Sequence, residues 1–408
     1  MIKKTKVLWI SMFAPISTAS SGGSQTFNYY FKQFLQDDRF EIRLVSCGVY
    51  SEREIVEKET EEIVHHIVYW GSKNQSLFEK VKNIESKFNL LNKNAGLVSN
   101  SDKNEIIATI KKYKSDGYEP DVTILEWTNM VMLAKQIKNI YPKTKIVASE
   151  HDVTFIGYRR KYEYFTGTKK LLWKLKYMYE KRMELSNLSK CDLVLPHNKD
   201  NKAVLMREGI LESKIIGLVP YFKNMTLVPR NSNYKDILFF GAMARPENSL
   251  SAIWFIENVL PRLTDLDIRF VILGSNPPGE LKKYQSDRVY ITGFVDSITP
   301  YFSQSMCLVA PLVLGAGIKI KVLEALSSGI PVLTNEIGIE GIPAKNEQEY
   351  FQCTKPEEYE AMIRCIYNKK FDEKYIENKA KEFIRENFSV DGFSSYYRNE
   401  IYRLGGKN

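Results

Sequence analysis

Residues 315–325 read GAGIKIKVLEA, opening on three residues of almost no side chain and then setting two cations, Lys319 and Lys321, ahead of one carboxylate, Glu324. Bare backbone around Gly315 and Gly317 at a helix start exposes amide N–H groups of positive partial charge, and lysines can balance a diphosphate. A carboxylate roughly two turns further along can accept both hydroxyls of a ribose. Together these describe a site for one nucleoside diphosphate. The alternative leaves both lysines on an exposed helix face, with Glu324 paired to one of them. A second glycine pair, Gly22 and Gly23 in APISTASSGGSQTF, precedes a helix expected to start near Gln25. It suits a phosphate for the same reasons and also suits an ordinary turn. SEHDV holds Glu150, His151 and Asp152, where His151 is either a group for the reacting centre or a structural histidine. FFGAMARPEN sets Gly241 at a strand end and Arg245 in the loop after it.

These loops need strands to hold them. Apolar runs of strand length alternate with helical patterns along the whole chain, the pattern of βαβ units and of parallel sheets covered on both faces. KVLWIS (6–11), EIRLVSC (41–47), DVTILEW (121–127), KIVASE (145–150) and DLVLPH (192–197) form one set. DILFFGA (236–242), RFVILGS (269–275), VYITGF (289–294), CLVAPL (307–312) and IPVLTN (330–335) form a second. Each set reads as a doubly wound α/β sheet, and the aperiodic stretch 218–235, with its prolines, reads as the linker. The expected domains are 1–218 and 219–389, with 390–408 carrying helical spacing and packing back. Ligands of open parallel sheets bind beyond the carboxyl ends of the strands, which is where all four loops fall.

A length of 408 residues exceeds what one hydrophobic core serves, and 44% hydrophobic with 26% charged residues is a globular balance that excludes extended disorder. The apolar run of MIKKTKVLWISMF is short and lacks a cleavage site, so it reads as a first strand, and no stretch reaches the ~18 apolar residues of a membrane span. A cytoplasmic protein is expected, with five scattered cysteines as reduced, buried small hydrophobes and no metal spacing among them. The net charge of +9 implies an anionic partner. Between Arg159 and Arg182, nine Lys or Arg stand against Glu163 and Glu180, with Leu171, Leu172, Leu175 and Met178 interleaved. Two readings stay open: contact with an anionic membrane surface on the cytoplasmic face, or a solvated helix whose Leu and Met face the core. No recognition module for nucleic acid accompanies the patch.

GAGIKIKVLEALSSGIPVLTNEIGIEGI (315–342) resembles the signature of the family 4 retaining glycosyltransferases of GT-B fold, also called glycosyl transferases group 1. FFGAMARPENSLSAIWFIENVLPRL (239–263), FVILGSNPP (270–278) and VYITGFVDSITPYF (289–302) are similar to units of its donor domain, and SGGSQTF and SEHDV occupy the places of its glycine and histidine loops. The resemblance implies two Rossmann-like domains facing across a cleft, the first taking the acceptor and the second a nucleotide sugar, with the last helix crossing back. It gives Glu324 the ribose, the amides near Gly22 and Gly23 the donor phosphates, His151 the transferred sugar, and Gly293, Phe294 and Val295 the base. Two places depart from the pattern. The paired acid eight residues before Glu324 is Ala316, and the Arg and Lys after the first donor strand are Ala242 and Asn248. A subset of the family carries GIKxK instead, so Lys319 and Lys321, with Arg245, are read as the substitute cations, Gly241 and Gly317 framing them. The implied reaction is metal-independent hexosyl transfer with retention from a nucleotide-diphosphate sugar, with no other cofactor. The acceptor is a glycan, lipid-linked or protein-linked, in surface polysaccharide or glycoconjugate synthesis. A non-catalytic GT-B subunit that stabilises a partner enzyme, or a nucleotide-sugar epimerase of the same fold, remains the alternative.

Overall fold

The computed structural model describes residues 4–19, 21–70, 98–197, 199–315 and 317–406. The chain divides into two compact units, Met1–Tyr221 with Val390–Asn408, and Phe222–Ser389.

In the first unit, β1 (Thr5–Ser11), α1 (Gly22–Leu35), β2 (Phe40–Val49), α2 (Arg53–Thr60), β3 (Val64–Trp70) and α3 (Asn100–Ser115) lead to β4 (Val122–Glu126). There follow α4 (Thr128–Val131), α5 (Ala134–Ile140), β5 (Lys145–Glu150), α6 (Thr154–Tyr164), α7 (Gly167–Leu188), β6 (Leu193–Pro196) and α8 (Lys199–Arg207). The six strands are parallel in the order β3-β2-β1-β4-β5-β6, the doubly wound order, so the switch point lies between β1 and β4. Val7, Leu8, Trp9 and Ile10 are wholly buried because helices cover both faces. Ser21 caps α1, its hydroxyl accepting the N–H of Ser24 at 3.1 Å, so the helix begins at Gly22 rather than near Gln25. Gly22 and Gly23 are therefore its first two residues, whose N–H groups have no partner within the helix. The last helix of the chain belongs to this unit. Its Tyr397 and Ile401 join the core of Trp9, Phe27, Phe31 and Phe34, and Arg398 donates to Gln33 of α1 at 3.2 Å.

The second unit contains β7 (Asp236–Phe240), α9 (Pro246–Asn258), β8 (Arg269–Leu273), α10 (Gly279–Lys282), β9 (Val289–Gly293), α11 (Thr299–Gln304) and β10 (Cys307–Ala310). It continues through α12 (Ile320–Ser328), β11 (Val332–Thr334), α13 (Glu336–Ile339), β12 (Phe351–Gln352), α14 (Pro356–Tyr367) and α15 (Glu373–Asn387), before α16 (Val390–Leu404) returns to the first unit. Its strands are parallel in the order β12-β11-β10-β7-β8-β9, the same winding with its switch point between β7 and β10. All ten expected strands are present, and β3 and β12 add an edge to each sheet.

Helices α6 and α7 form a hairpin held to the unit by Phe155, Ile156 and Leu188 and by buried polar groups of α7. Glu184 of α7 accepts the N–H groups of Thr154 and Phe155 at 2.9 and 3.0 Å, capping α6 from outside. The residues α7 buries are Glu180, Glu184, Asn187 and Leu188, whereas Leu171, Leu175 and Met178 are exposed. The reading in which the Leu and Met of this segment face the core is therefore corrected: carboxylates take the inner face. Among the described residues no helix is long and apolar enough to cross a membrane.

Beside this attachment Glu150 is fully buried, its Oε2 accepting the Thr128 hydroxyl at 2.6 Å while Oε1 has no hydrogen-bond partner among the described residues. Burial raises its carboxyl to about 8 from the ordinary 4.5, with Glu180 and Asp152 adding to the rise. An unfolded Glu150 ionises first, so its contribution to stability is fully present below pH 4.5 and lost as pH rises through about 8. Glu150→Gln removes that loss. The melting midpoint of the first unit in the variant is expected to exceed the parent's by an amount that grows between pH 5 and 8.5, at about 2–4 °C for each kcal/mol. A midpoint difference that stays constant with pH would show that Glu150 is ionised in the fold.

Candidate functional site

In the second unit the carboxyl ends of β7 and β10 bring together residues far apart in sequence. Gly241 follows β7 without a side chain because there is no room for one: a Cβ there would stand 2.8 Å from the Asn248 Nδ2 and 2.9 Å from the Lys321 Nζ. Asn248, on α9, is fixed by donating to the Ala242 carbonyl at 2.9 Å, and its Oδ1 lies 2.5 Å from the Lys321 Nζ. The ammonium also stands 4.8 Å from the centre of the Phe239 ring. Among the described residues Lys321 has no carboxylate within ion-pair distance, its hydrogen-bond partner being a neutral amide. Loss of water around the ammonium, and then the charges of Arg245 and Lys319, pull it down to about 7.

Lys319 is differently placed. It is the residue before α12, and its Nζ bonds the Gly317 carbonyl and lies 3.3 Å from the Glu340 Oε2, in a pair whose side chains are both only 10% exposed. Its charge is thus already met, and it ties the glycine loop to α13. Glu324 stands one turn beyond Lys321, 5% exposed, with the Lys223 N–H 3.4 Å from its Oε1. Burial raises it to about 7, against the Lys223 N–H and the charges of Lys223 and Lys321. Gly241, Lys321 and Glu324 therefore lie together past the carboxyl ends of β7 and β10, with Lys319 just before the same helix. Arg245 is exposed and lies 3.8 Å from Glu247. Gly293 ends β9 at φ +71 beside a register shift in the β8–β9 ladder, which turns Phe294, 75% exposed, out of the sheet. Ala316 lies outside the described residues.

In the first unit His151 follows β5 and is buried. Its ring stacks on Trp127, with centroids 4.2 Å apart and planes 9° from parallel, and His197 lies 4.1 Å away. The Nε2 of His151 is 2.9 Å from the Glu126 Oε2, while the other carboxyl oxygen, Oε1, accepts the Trp9 Nε1–H at 3.2 Å. A Cβ on Gly23 would stand 3.3 Å from both the His151 Nδ1 and the Trp127 Nε1, so these two nitrogens face the start of α1. Burial lowers His151 to about 3 and raises Glu126 to about 8, the latter against hydrogen bonds from Ser149 and Trp9. Trp127 holds φ +68, a left-handed backbone that a bulky residue keeps only where its surroundings over-determine it. Glu126, Trp127 and Glu340 were not named from the sequence, and Asn248 was named only as a departure from the family pattern. The position of Glu126 and Trp127, ending the strand beside the switch point, was the available signal. Among the described residues no three His, Cys, Asp or Glu side chains are grouped to hold a metal ion.

Residues 234–369 match the family model described as Glycosyl transferases group 1. That stretch holds Gly241, Asn248, Lys321 and Glu324 and takes in most of the second unit. A protein of Klebsiella pneumoniae, "Uncharacterized 44.6 kDa protein in cps region", is 30% identical over 178 residues, covering 40% of this chain and 45% of that one. The match thus takes in less than half the length of this relative. Among solved structures, a glycosyltransferase from Rickettsia africae superposes with a TM-score of 0.64 at 17% identity over 99% of both chains. Sucrose-phosphate synthase from Thermosynechococcus elongatus gives 0.72 at 13% identity over 99% of this chain and 100% of that one. Anabaena Alr3699/HepE, solved in complex with UDP, gives 0.66 at 12% identity over 97% and 99%. The fold is GT-B, an α/β architecture of two Rossmann-like domains.

Proposed function

We propose that this protein transfers a sugar from a nucleoside-diphosphate sugar to an acceptor hydroxyl, with retention at the anomeric carbon, in the synthesis of a surface polysaccharide. The observation that carries the reading is the Lys321 ammonium, held over a bare glycine at the β7–β10 switch point with an amide and no carboxylate beside it. A cation so placed lacks its counter-ion, and a diphosphate supplies one. Glu324, one turn on, then accepts from the ribose. The diphosphate leaves as positive charge grows on the anomeric carbon, and the acceptor hydroxyl attacks from the same face. The work of the site is orientation and stabilisation of the leaving group. Lys321 and the start of α12 carry the charge that a metal carries in other transferases. The cps region of the Klebsiella relative supports a polysaccharide product, and the UDP bound by the Anabaena protein puts uridine nucleotides first among donors.

A panel of nucleoside diphosphates tests the reading: one of them is expected to raise the melting midpoint of the protein, and its sugar conjugates to be hydrolysed slowly without acceptor. Glu324→Ala should weaken that nucleotide by about 1.5–3 kcal/mol for each ribose hydrogen bond lost, measured by calorimetry. Unchanged affinity would remove Glu324 from the site. Ala316 and Ala242, where the family pattern has an acid and an Arg, favour a second reading, a GT-B subunit that binds nucleotide and stabilises a partner without catalysis. Binding with no hydrolysis of any sugar conjugate, and no transfer to any acceptor, would decide for it.

A further inference from the structure

No residue between 157 and 179, the outer part of the α6–α7 hairpin, is buried. Leu171, Leu175 and Met178 lie at i, i+4 and i+7 of α7 and are 59%, 54% and 57% exposed. At 100° per residue they share one stripe, opposite the face that carries Glu180, Glu184 and Asn187 into the unit. An exposed aliphatic stripe of this kind marks a docking surface, and its flanks say for what. Lys170 and Lys174 are exposed along one flank of the stripe, while Lys169, exposed, and Lys176, partly so, stand further round the helix. Of the two carboxylates in 159–182, Glu180 is turned inward and only Glu163, beside Arg159, is exposed; Lys181 pairs with Glu208, just after α8, and Lys169, Lys170, Lys174 and Lys176 leave the outward charge of the segment positive. A second copy of the hairpin would set like charge against like.

We propose that the α6–α7 hairpin docks on an anionic lipid surface, with Leu171, Leu175 and Met178 entering the boundary between headgroups and acyl chains and the lysines meeting lipid phosphates. This is how a helix with aliphatic residues on one side and lysines along its flanks lies in an interface. Tyr164, 47% exposed at the end of α6, suits the same depth, while Trp173 packs inward on Tyr158 of α6 at 5.4 Å between ring centres. Helix α6 starts three residues after His151, so docking the hairpin sets the carboxyl end of β5 near the lipid, where a lipid-linked acceptor would be presented.

The test uses the full chain and does not depend on glycosyl transfer. The protein is mixed with vesicles of phosphatidylcholine alone, and of phosphatidylcholine with phosphatidylglycerol, at low and physiological ionic strength, and sedimented. It is expected to partition onto the anionic vesicles only, less at the higher salt. Changing Lys169, Lys170, Lys174 and Lys176 to Gln should lower the partition coefficient ~100-fold or more, at about fivefold for each cation that reaches the surface. Changing Leu171, Leu175 and Met178 to Ser should lower it about tenfold or more. All these side chains lie outside the core, so both variants should melt as the parent does. A protein that ignores anionic vesicles at low salt overturns the proposal, as does either variant binding like the parent. Self-association without lipid that the serine variant abolishes would assign the stripe to a second copy instead.

Discussion

Lys321→Met is expected to lower donor turnover by about 10²–10³-fold, the range seen when one preorganised group that stabilises developing charge is removed, and at the same time to stabilise the unliganded protein. Both effects have one cause. The ammonium stands against Asn248 and the Phe239 ring with no carboxylate in ion-pair distance among the described residues, and loss of water, then the charges of Arg245 and Lys319, outweigh those of Glu247 and Glu324 and pull it down to about 7. An unfolded lysine stays charged up to about 10.5, so the penalty on folding is fully present below about 7 and is relieved as pH rises from 7 towards 10.5. Methionine fills much the same volume without the charge, so its gain in melting midpoint should be largest below pH 7 and shrink above it. A bound diphosphate reverses the balance by favouring the charged lysine, and nucleotide binding near pH 8 should take up a proton in the parent and not in the variant. Lys319→Met is the control, because its ammonium is already held by Glu340 and the Gly317 carbonyl. That change should loosen the glycine loop and weaken binding without the stability gain. Unaltered turnover in Lys321→Met would exclude Lys321 as the phosphate cation.

The strands buried on both faces were the legible ones, because burial on two sides writes an unbroken apolar run such as VLWI in β1 or LVAP after Cys307. The edges were not. In VHHIVYW of β3 two histidines interrupt the run, and β12 is two residues long. The glycine loops, Lys321, Glu324 and His151 could be named because each follows a strand whose carboxyl end must carry the chemistry. Their partners could not be. Glu126 is 25 residues from His151 and Asn248 is 73 from Lys321, and nothing local in an Asn or a Glu says what it will meet across a sheet. The basic helix shows the same limit. Leu at i and i+4 reads alike whether it faces core or water, and only the inward turn of Glu180 and Glu184 settled which.

Glu126→Gln is expected to keep turnover within about threefold of the parent, while Glu126→Ala should lose about 10²-fold, the cost of misplacing a reacting group by an ångström. The difference follows from where one proton sits. The Trp9 Nε1–H occupies the Oε1 of Glu126, so a neutral Glu126 carries its proton on Oε2 and donates it to the His151 Nε2. His151, kept neutral by burial, then bears its own proton on Nδ1, the nitrogen that faces Gly23, and offers a donor to a sugar hydroxyl there. Glutamine reproduces this arrangement, its carbonyl accepting from Trp9 and its amide donating to Nε2. Alanine leaves the imidazole stacked on Trp127 but free to choose its tautomer. In the parent Glu126 ionises near pH 8, after which its Oε2 can only accept. The proton of His151 then moves to Nε2, and Nδ1 turns from donor to acceptor. Turnover at saturating donor should therefore fall above pH 8 in the parent and stay level in Glu126→Gln, whose amide cannot titrate. A glutamine variant as damaged as the alanine one, or one whose rate falls with the same pH dependence, would mean that the carboxylate form of Glu126 is the working one and that His151 presents a bare nitrogen to its ligand.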